Sequence, residues 1–454
     1  MKRRMYVFGL AFAAFLTVVP TAKSEPKTAR YIVILKDSVA NPDTVAEEHG
    51  RKYGAKRSHI YRFALKGYAA EIPSTAVTKI ASDPRVDAIT EDGQVIAAAT
   101  CSYDVFNPSS QCIPPGVDRV EADLSSTASG DGSGSVNLNI AILDGGIDID
   151  HPDLNVVGGK NCAGGKGFDA NPRDFPGDYH GTFVAGVIGA KDDGIGITGV
   201  APGAKIWAIR VLNQHGTGSI SQVICGVDFV TGSRADSDPL NDIAVANMSL
   251  GGPVSEKQSD DGNCGRTKSD ALHRAICGSV AAGVFYSVSA GNSGTDIKRD
   301  IPSAYDEVLT ATGMADFDGE PGGRYPRALC SDWDDTSYDY SSFATLANDQ
   351  THTIAAPAAC VFSTVPLDYF SPGLDGAYAI SSGTSFAAPH AGGVAALCIA
   401  SGACANLTPV QIIQKLRGDA EAYALAHPAE GFYGDPSDPQ QGEYLGYLVR
   451  AGGY

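Results

Sequence analysis

Residues Asn139-Ile140-Ala141-Ile142-Leu143-Asp144 form an unbroken apolar run that ends on an acid. Such a run needs cover on both faces, which a strand inside a parallel sheet receives, so the chain is expected to fold with helices on both sides of one. In sheets of this kind the residues that handle ligands stand just past the carboxyl ends of the strands, where Asp144 falls. Aspartate there is also a common turn residue, so this position alone does not decide the chemistry.

The 454 residues suffice for one large α/β domain with accessory segments. The formal charge of −18 is unevenly spread: residues 1–100 hold 15 of the 34 basic and 10 of the 52 acidic side chains, which leaves the remainder at −23. A surface of that sign repels phosphate backbones and excludes nucleic acid as a partner class. All ten cysteines lie after residue 100, an even number suited to disulfides in an oxidising compartment. Cys101 with Cys112 and Cys398 with Cys404 suit short loops, while the other pairings stay open. No C-x-x-C pair suggests a cysteine zinc site.

The chain divides into three segments. Residues 1–24 carry Lys2, Arg3 and Arg4, then the apolar stretch from Tyr6 to Val19, then small residues, the pattern of a secretory signal peptide. The apolar stretch is shorter than the roughly 20 residues of a spanning helix, so a secreted protein with no membrane association after processing is expected. Residues 25–100, without cysteine, are expected to form a small α+β unit: strands at 31–35, 68–72 and 86–89, helices at 42–54 and 74–82. Its tail from Val95 to Thr100, small and uncharged, suits an extended segment lying in a groove.

Two further motifs lie in residues 101–454. His180-Gly181-Thr182-Phe183-Val184-Ala185-Gly186 opens a helix whose small residues allow close packing. Ser385 follows Gly383-Thr384 and precedes the apolar, small-residue helix that runs on through His390 to Leu397, so it stands where free backbone N–H groups attract negative charge. Aspartate, histidine and serine together supply an orienting carboxylate, a base and a nucleophile for acyl transfer. Asp148, Asp150 and Asp153 compete for the carboxylate role, but only Asp144 directly ends the strand.

With these three motifs in the chain order Asp, His, Ser, residues 101–454 resemble the subtilisin-like serine peptidases, and residues 25–100 resemble the inhibitory propeptide of that family. The resemblance implies a three-layer subtilisin-like α/β fold with a mostly parallel central sheet, preceded by the small α+β propeptide domain. It implies a serine endopeptidase made as an autoprocessed zymogen, with Ser385 as nucleophile, His180 as base and Asp144 behind it. Ser287-Val288-Ser289-Ala290-Gly291-Asn292 matches the segment whose asparagine amide holds the oxyanion. The stretches 212–218 and 247–252 resemble the two edges between which an extended substrate is bound, with Gly216, Gly218, Ser249, Leu250 and Gly251 as contacts. Leu212, Ile220, Val223 and Leu250 fall where the family lines an apolar subsite. The partners implied are polypeptide substrates and the chain's own propeptide, with the enzyme a monomer.

The same resemblance implies no organic cofactor and one structural calcium, bound by the carboxylates of Asp153 and Asp193 and the carbonyls of Lys191, Ile195 and Ile197. A plain Asp-Asp-Gly turn is the competing reading. Three positions depart from the common family pattern: Gly145 stands for Ser or Thr, Phe183 for a second histidine, and Phe386 for methionine. A peptide-binding pseudoenzyme would lack triad members, and all three are present. The capped pattern from Leu407 to Leu416 reads as a last helix.

Overall fold

The computed structural model describes residues 28–36, 38–61, 66–91, 110–163, 172–174, 178–253, 260–323, 332–369, 377–440 and 442–454. The expected signal segment, the tail 95–100, Cys101 and Cys330 lie outside these residues. The chain divides into two units between Ala97 and Ala98.

The first unit runs β1 (Thr28–Leu35), α1 (Pro42–Tyr53), β2 (Lys56–Tyr61), β3 (Gly67–Pro73), α2 (Ser74–Ala81) and β4 (Val86–Glu91). Its four strands pair in the order β2-β3-β1-β4, all antiparallel. Val33, Leu35, Tyr68, Ile72, Val45 and Ile80 bring the sheet and both helices onto one core. The sequence reading missed β2. That strand is an edge carrying exposed Lys56 and Arg57, so it has little of the apolar alternation by which a strand is recognised.

The second unit is built on a sheet of β5 (Asn139–Asp144), β6 (Val156–Asn161), β7 (Lys205–Arg210), β8 (Ile243–Met248), β9 (Phe285–Ser289), β10 (Leu309–Ala315), β11 (Thr336–Ser337) and β12 (Thr353–Ala359). The order is β11-β10-β9-β8-β5-β7-β6, with β12 also paired to β10. Every pairing is parallel except that of β11.

Alternation along β5 explains the layers. Ile140 and Ile142 join a core shared with Val184, Val187, Val394 and Leu397, whereas Ala141 and Leu143 join a second core with Val223, Val227, Leu272 and Ile276. One face of the sheet therefore carries α3 (His180–Gly189) and α6 (Thr384–Ala400), and the other carries α4 (Ile220–Ser233) and α5 (Ala271–Ala281). A last helix, Pro409–Ala426, starts on a capping box between Thr408 and Gln411, as the sequence pattern suggests.

Disulfides join Cys162 to Cys225, Cys264 to Cys277 and Cys398 to Cys404, and Cys112 and Cys360 are also disulfide-bonded. Among the described residues no helix is long and apolar enough to cross a membrane.

Candidate active site

The strand order reverses at β5, which lies between β7 on one side and β8 on the other. A crevice opens beyond the carboxyl end of a strand in that position, and Asp144 is its last residue. Asp144 is buried at 1% exposure. Its neighbour Gly145 donates its backbone N–H to Asp144 Oδ1 at 2.7 Å.

His180 is the first residue of α3. Gly181 lets that helix come close, since a Cβ there would run into the Gly146 carbonyl oxygen. The imidazole Nδ1 lies 2.9 Å from both Asp144 oxygens. A bond to a carboxylate requires Nδ1 to carry the proton, which leaves Nε2 as the basic nitrogen. Burial pushes the His180 pKa down, but the charge and hydrogen bond of Asp144, with the charge of Asp178, more than offset it, so the value stands above normal. Of the competing acids, Asp148 and Asp150 pair with Arg173 and Asp153 lies in another loop; among the described residues none of the three touches His180.

Ser385 is the second residue of α6, half-buried at a helix N-terminus. Its hydroxyl donates to the Ser249 carbonyl at 3.4 Å, and the Ser249 hydroxyl donates to the Ser385 carbonyl at 2.5 Å. Among the described residues no hydrogen bond joins Ser385 to His180. The next residue links them: the Phe386 ring lies 5.7 Å from the His180 ring and 4.3 Å from that of Phe183. Two departures from the family pattern, Phe183 and Phe386, thus pack on each other, with Phe386 beside the imidazole.

Asn292 is exposed beyond β9. Its Oδ1 accepts from the backbone N–H of Thr384 at 2.8 Å and from the Thr384 hydroxyl at 3.0 Å. With the oxygen held by two donors, the amide Nδ2 is turned away from Thr384 and keeps its protons for another acceptor. Thr384 in turn accepts from Gly291 N–H at 3.0 Å, so the oxyanion candidate and the nucleophile's helix are tied directly together.

A groove of about 520 Å³ adjoins this site. Its lining includes His180 and Asp178, all five expected contacts, Gly216, Gly218, Ser249, Leu250 and Gly251, and the four apolar candidates Leu212, Ile220, Val223 and Leu250. The sequence reading missed Asp178, Leu272 and Pro302 in that lining. For Asp178 a signal existed, an acid two residues before His180, whose backbone N–H its Oδ1 accepts at 3.1 Å.

The expected calcium residues gather in a second place. Asp153 is buried, with Oδ2 accepting from Ile197 N–H at 3.2 Å and from Tyr378 OH at 3.1 Å. Its Oδ1 is buried with no hydrogen-bond partner, and burial pushes the carboxyl up to about 7. Asp193 is exposed and its charge reaches Asp153. The Lys191 backbone N–H donates to Asp153 O at 2.9 Å, while Ile195 N–H donates to Asp193 Oδ1 at 3.3 Å. A bare buried carboxylate oxygen facing a loop with further oxygens fits a hard cation. Gln111 was missed; its Oε1 faces the same loop, accepting from Asp193 and Gly194 N–H at 2.9 and 2.7 Å.

Fold and site together define an α/β peptidase of the serine type. The chain belongs to the subtilase family: a model described by that name matches residues 135–434, and one described as peptidase inhibitor I9 matches residues 30–97. It is similar to Subtilisin NAT of Bacillus subtilis subsp. natto, 28% identical over 87% of this chain and 85% of the relative. It is similar also to Subtilisin DY of Bacillus licheniformis, 30% identical over 64% of this chain and 85% of the relative. Among solved structures, that of a cold adapted subtilisin-like serine proteinase matches with a TM-score of 0.51 and 25% identity, covering 74% of this chain and 97% of that one. The chain is a subtilisin-like serine endopeptidase preceded by its inhibitory propeptide domain.

Proposed function

We propose that Asp144, His180 and Ser385 are the catalytic triad of a secreted endopeptidase that matures by its own cleavage. The observation that carries this reading is the buried Asp144 carboxylate, 2.9 Å from His180 Nδ1 at the switch point of the sheet. His180 Nε2 takes the proton of the Ser385 hydroxyl as Oγ attacks the scissile carbonyl, then passes it to the leaving amine. Asp144 keeps the tautomer and stabilises the imidazolium. The hydroxyl must swing from the Ser249 carbonyl toward the imidazole, a small change of the kind that substrate binding completes. Asn292 Nδ2 and the Ser385 backbone N–H hold the oxyanion. Water then attacks the acyl-enzyme by the same acid–base route.

The groove binds an extended polypeptide through the edges at 212–218 and 249–251. Backbone pairing makes its substrates broad, and Leu212, Ile220, Val223 and Leu250 favour an apolar side chain. Asp153, Asp193 and the carbonyls of Lys191, Ile195 and Ile197 would hold a calcium ion, which would supply charge and cross-linking there but take no part in the reaction.

Residues 1–24 serve as a signal peptide, and residues 25–100 as a propeptide removed by the peptidase domain 101–454. The Ser385→Ala variant expressed alone is then expected to accumulate uncut precursor. Normal maturation of that variant would mean that another protease performs the cut.

A further inference from the structure

The short strand Gly252–Pro253 continues the edge 249–251 and pairs antiparallel with Asp300–Ile301. Successive side chains of a strand point to opposite faces. Ile301 enters the second core with Leu272 and Val288 and lines the apolar groove. Asp300 therefore points to the other face, away from that groove. There it meets the backbone that leads into Asn292: a Cβ on Gly291 would stand 3.7 Å from Asp300 Oδ2. Gly291, at φ +103°, brings no side chain to cover the carboxylate.

Asp300 is half-buried, yet among the described residues nothing donates to its carboxylate and no cation pairs with it. Nearby Lys298 is taken by Asp296 at 2.8 Å. Burial raises the Asp300 pKa with no donor or positive charge to offset it. Other turn aspartates of this domain are satisfied by their own backbone, Asp296 by the Lys298 N–H and Asp270 by those of Leu272 and His273. An acceptor drawn out of water and left without a donor costs the free enzyme stability, and a ligand that brings a donor removes that cost.

The reaction determines which ligand group arrives there. With Ser385 Oγ at the scissile carbon, and Asn292 Nδ2 and the Ser385 N–H on its oxygen, the residue that owns the carbonyl lies between the edge 249–251 and Gly291-Asn292. Its side chain projects between those two segments. Asp300 spans them, joined to one through its pairing with Pro253 and approaching the other at Gly291.

We propose that Asp300 selects a cationic side chain, lysine or arginine, at the substrate residue whose carbonyl is attacked. The inference rests on the triad reading above and adds to the apolar preference of the groove, which receives a different substrate residue. An ammonium or guanidinium group donates to the open carboxylate in a charge-assisted bond. The acidic surface of residues 101–454 also draws cationic chains toward the site. The tail from Val95 to Thr100 carries no basic residue, but its cut is intramolecular and needs no such contact to bring the strand to Ser385.

The test gives mature enzyme three peptide p-nitroanilides that differ only in the residue before the scissile bond, Lys, Leu or Glu. kcat/KM is expected to favour Lys over Leu by about tenfold or more, the worth of one charge-assisted hydrogen bond, with Glu the poorest. Asp300→Asn should erase the preference for Lys, Asp300→Glu should keep it, and Asp300→Lys should place Glu above Lys. Should these variants not fold, the cut sites of the unaltered enzyme in a denatured protein, read by mass spectrometry, decide instead: an excess after Lys and Arg is expected. Cuts without that excess, a wild-type Lys/Leu ratio near unity, or a ratio that Asp300→Asn leaves unchanged would each overturn the proposal. Hydrolysis of the Leu peptide that phenylmethylsulfonyl fluoride abolishes would in that case still support the serine peptidase reading, whereas no hydrolysis of any of the three would overturn both.

Discussion

His180 Nδ1 stands 2.9 Å from both oxygens of Asp144, whose carboxylate is sealed from water while the imidazole side chain stays 30% exposed. The base is thus held from behind and open in front. Because the Asp144 pairing raises the His180 pKa, the acid limb of kcat/KM is expected above the ordinary histidine value of about 6.5. Activity rises with pH through that limb as the imidazole loses its proton. The stabilisation from the charged pair runs the other way: it is complete below the unfolded-state value and is lost as pH rises through the folded-state value. Asp144→Asn should move the limb to lower pH and cut kcat about ten-thousand-fold, the magnitude known for triads of this type, subtilisin's included. A pH–rate profile unaltered by the substitution would contradict this pairing.

Asn292 is held by Thr384 through its oxygen alone. Asn292→Ala is expected to lower kcat by about a hundred- to a thousandfold with KM little changed, a range taken from subtilisin, a member of this family. A loss confined to KM in steady-state kinetics would place the amide on the ground state instead.

The Asp153 loop predicts calcium-dependent stability. With calcium at a thousandfold over its dissociation constant the gain is about 4 kcal/mol, so EGTA should speed thermal inactivation. Asp153→Ala should inactivate at one rate with or without EGTA. Thermal inactivation of the wild type that ignores EGTA would dismiss the ion.

The disulfides should differ in weight. Cys162–Cys225 spans 63 residues of sequence and Cys398–Cys404 spans 6, so loop entropy assigns them about 4 and about 2 kcal/mol. Denaturant unfolding of the two Cys→Ala pairs, each against the parent enzyme, measures the order.

Much of this was legible in the chain because catalysis uses short local motifs. Asp144 ends an unbroken apolar strand, His180 opens a small-residue helix, and Ser385 opens another, so each carries its own signature. Gln111 has no such signature: its place comes from what folding sets beside it, a loop more than 80 residues away in sequence. The Cys162–Cys225 pairing, like the meeting of Asp306 with His352, depends on which elements become neighbours in the fold. The edge strand 56–61 escaped for a different reason, since its first four residues, Lys56-Arg57-Ser58-His59, are all polar and offer no apolar alternation.

The most direct test of the central claim is covalent labelling of the mature enzyme with a fluorophosphonate, followed by peptide mass spectrometry. The account predicts a single adduct on Ser385, formed in step with loss of activity and abolished in His180→Ala. An adduct on another residue, or full activity after Ser385 has been labelled, would contradict it.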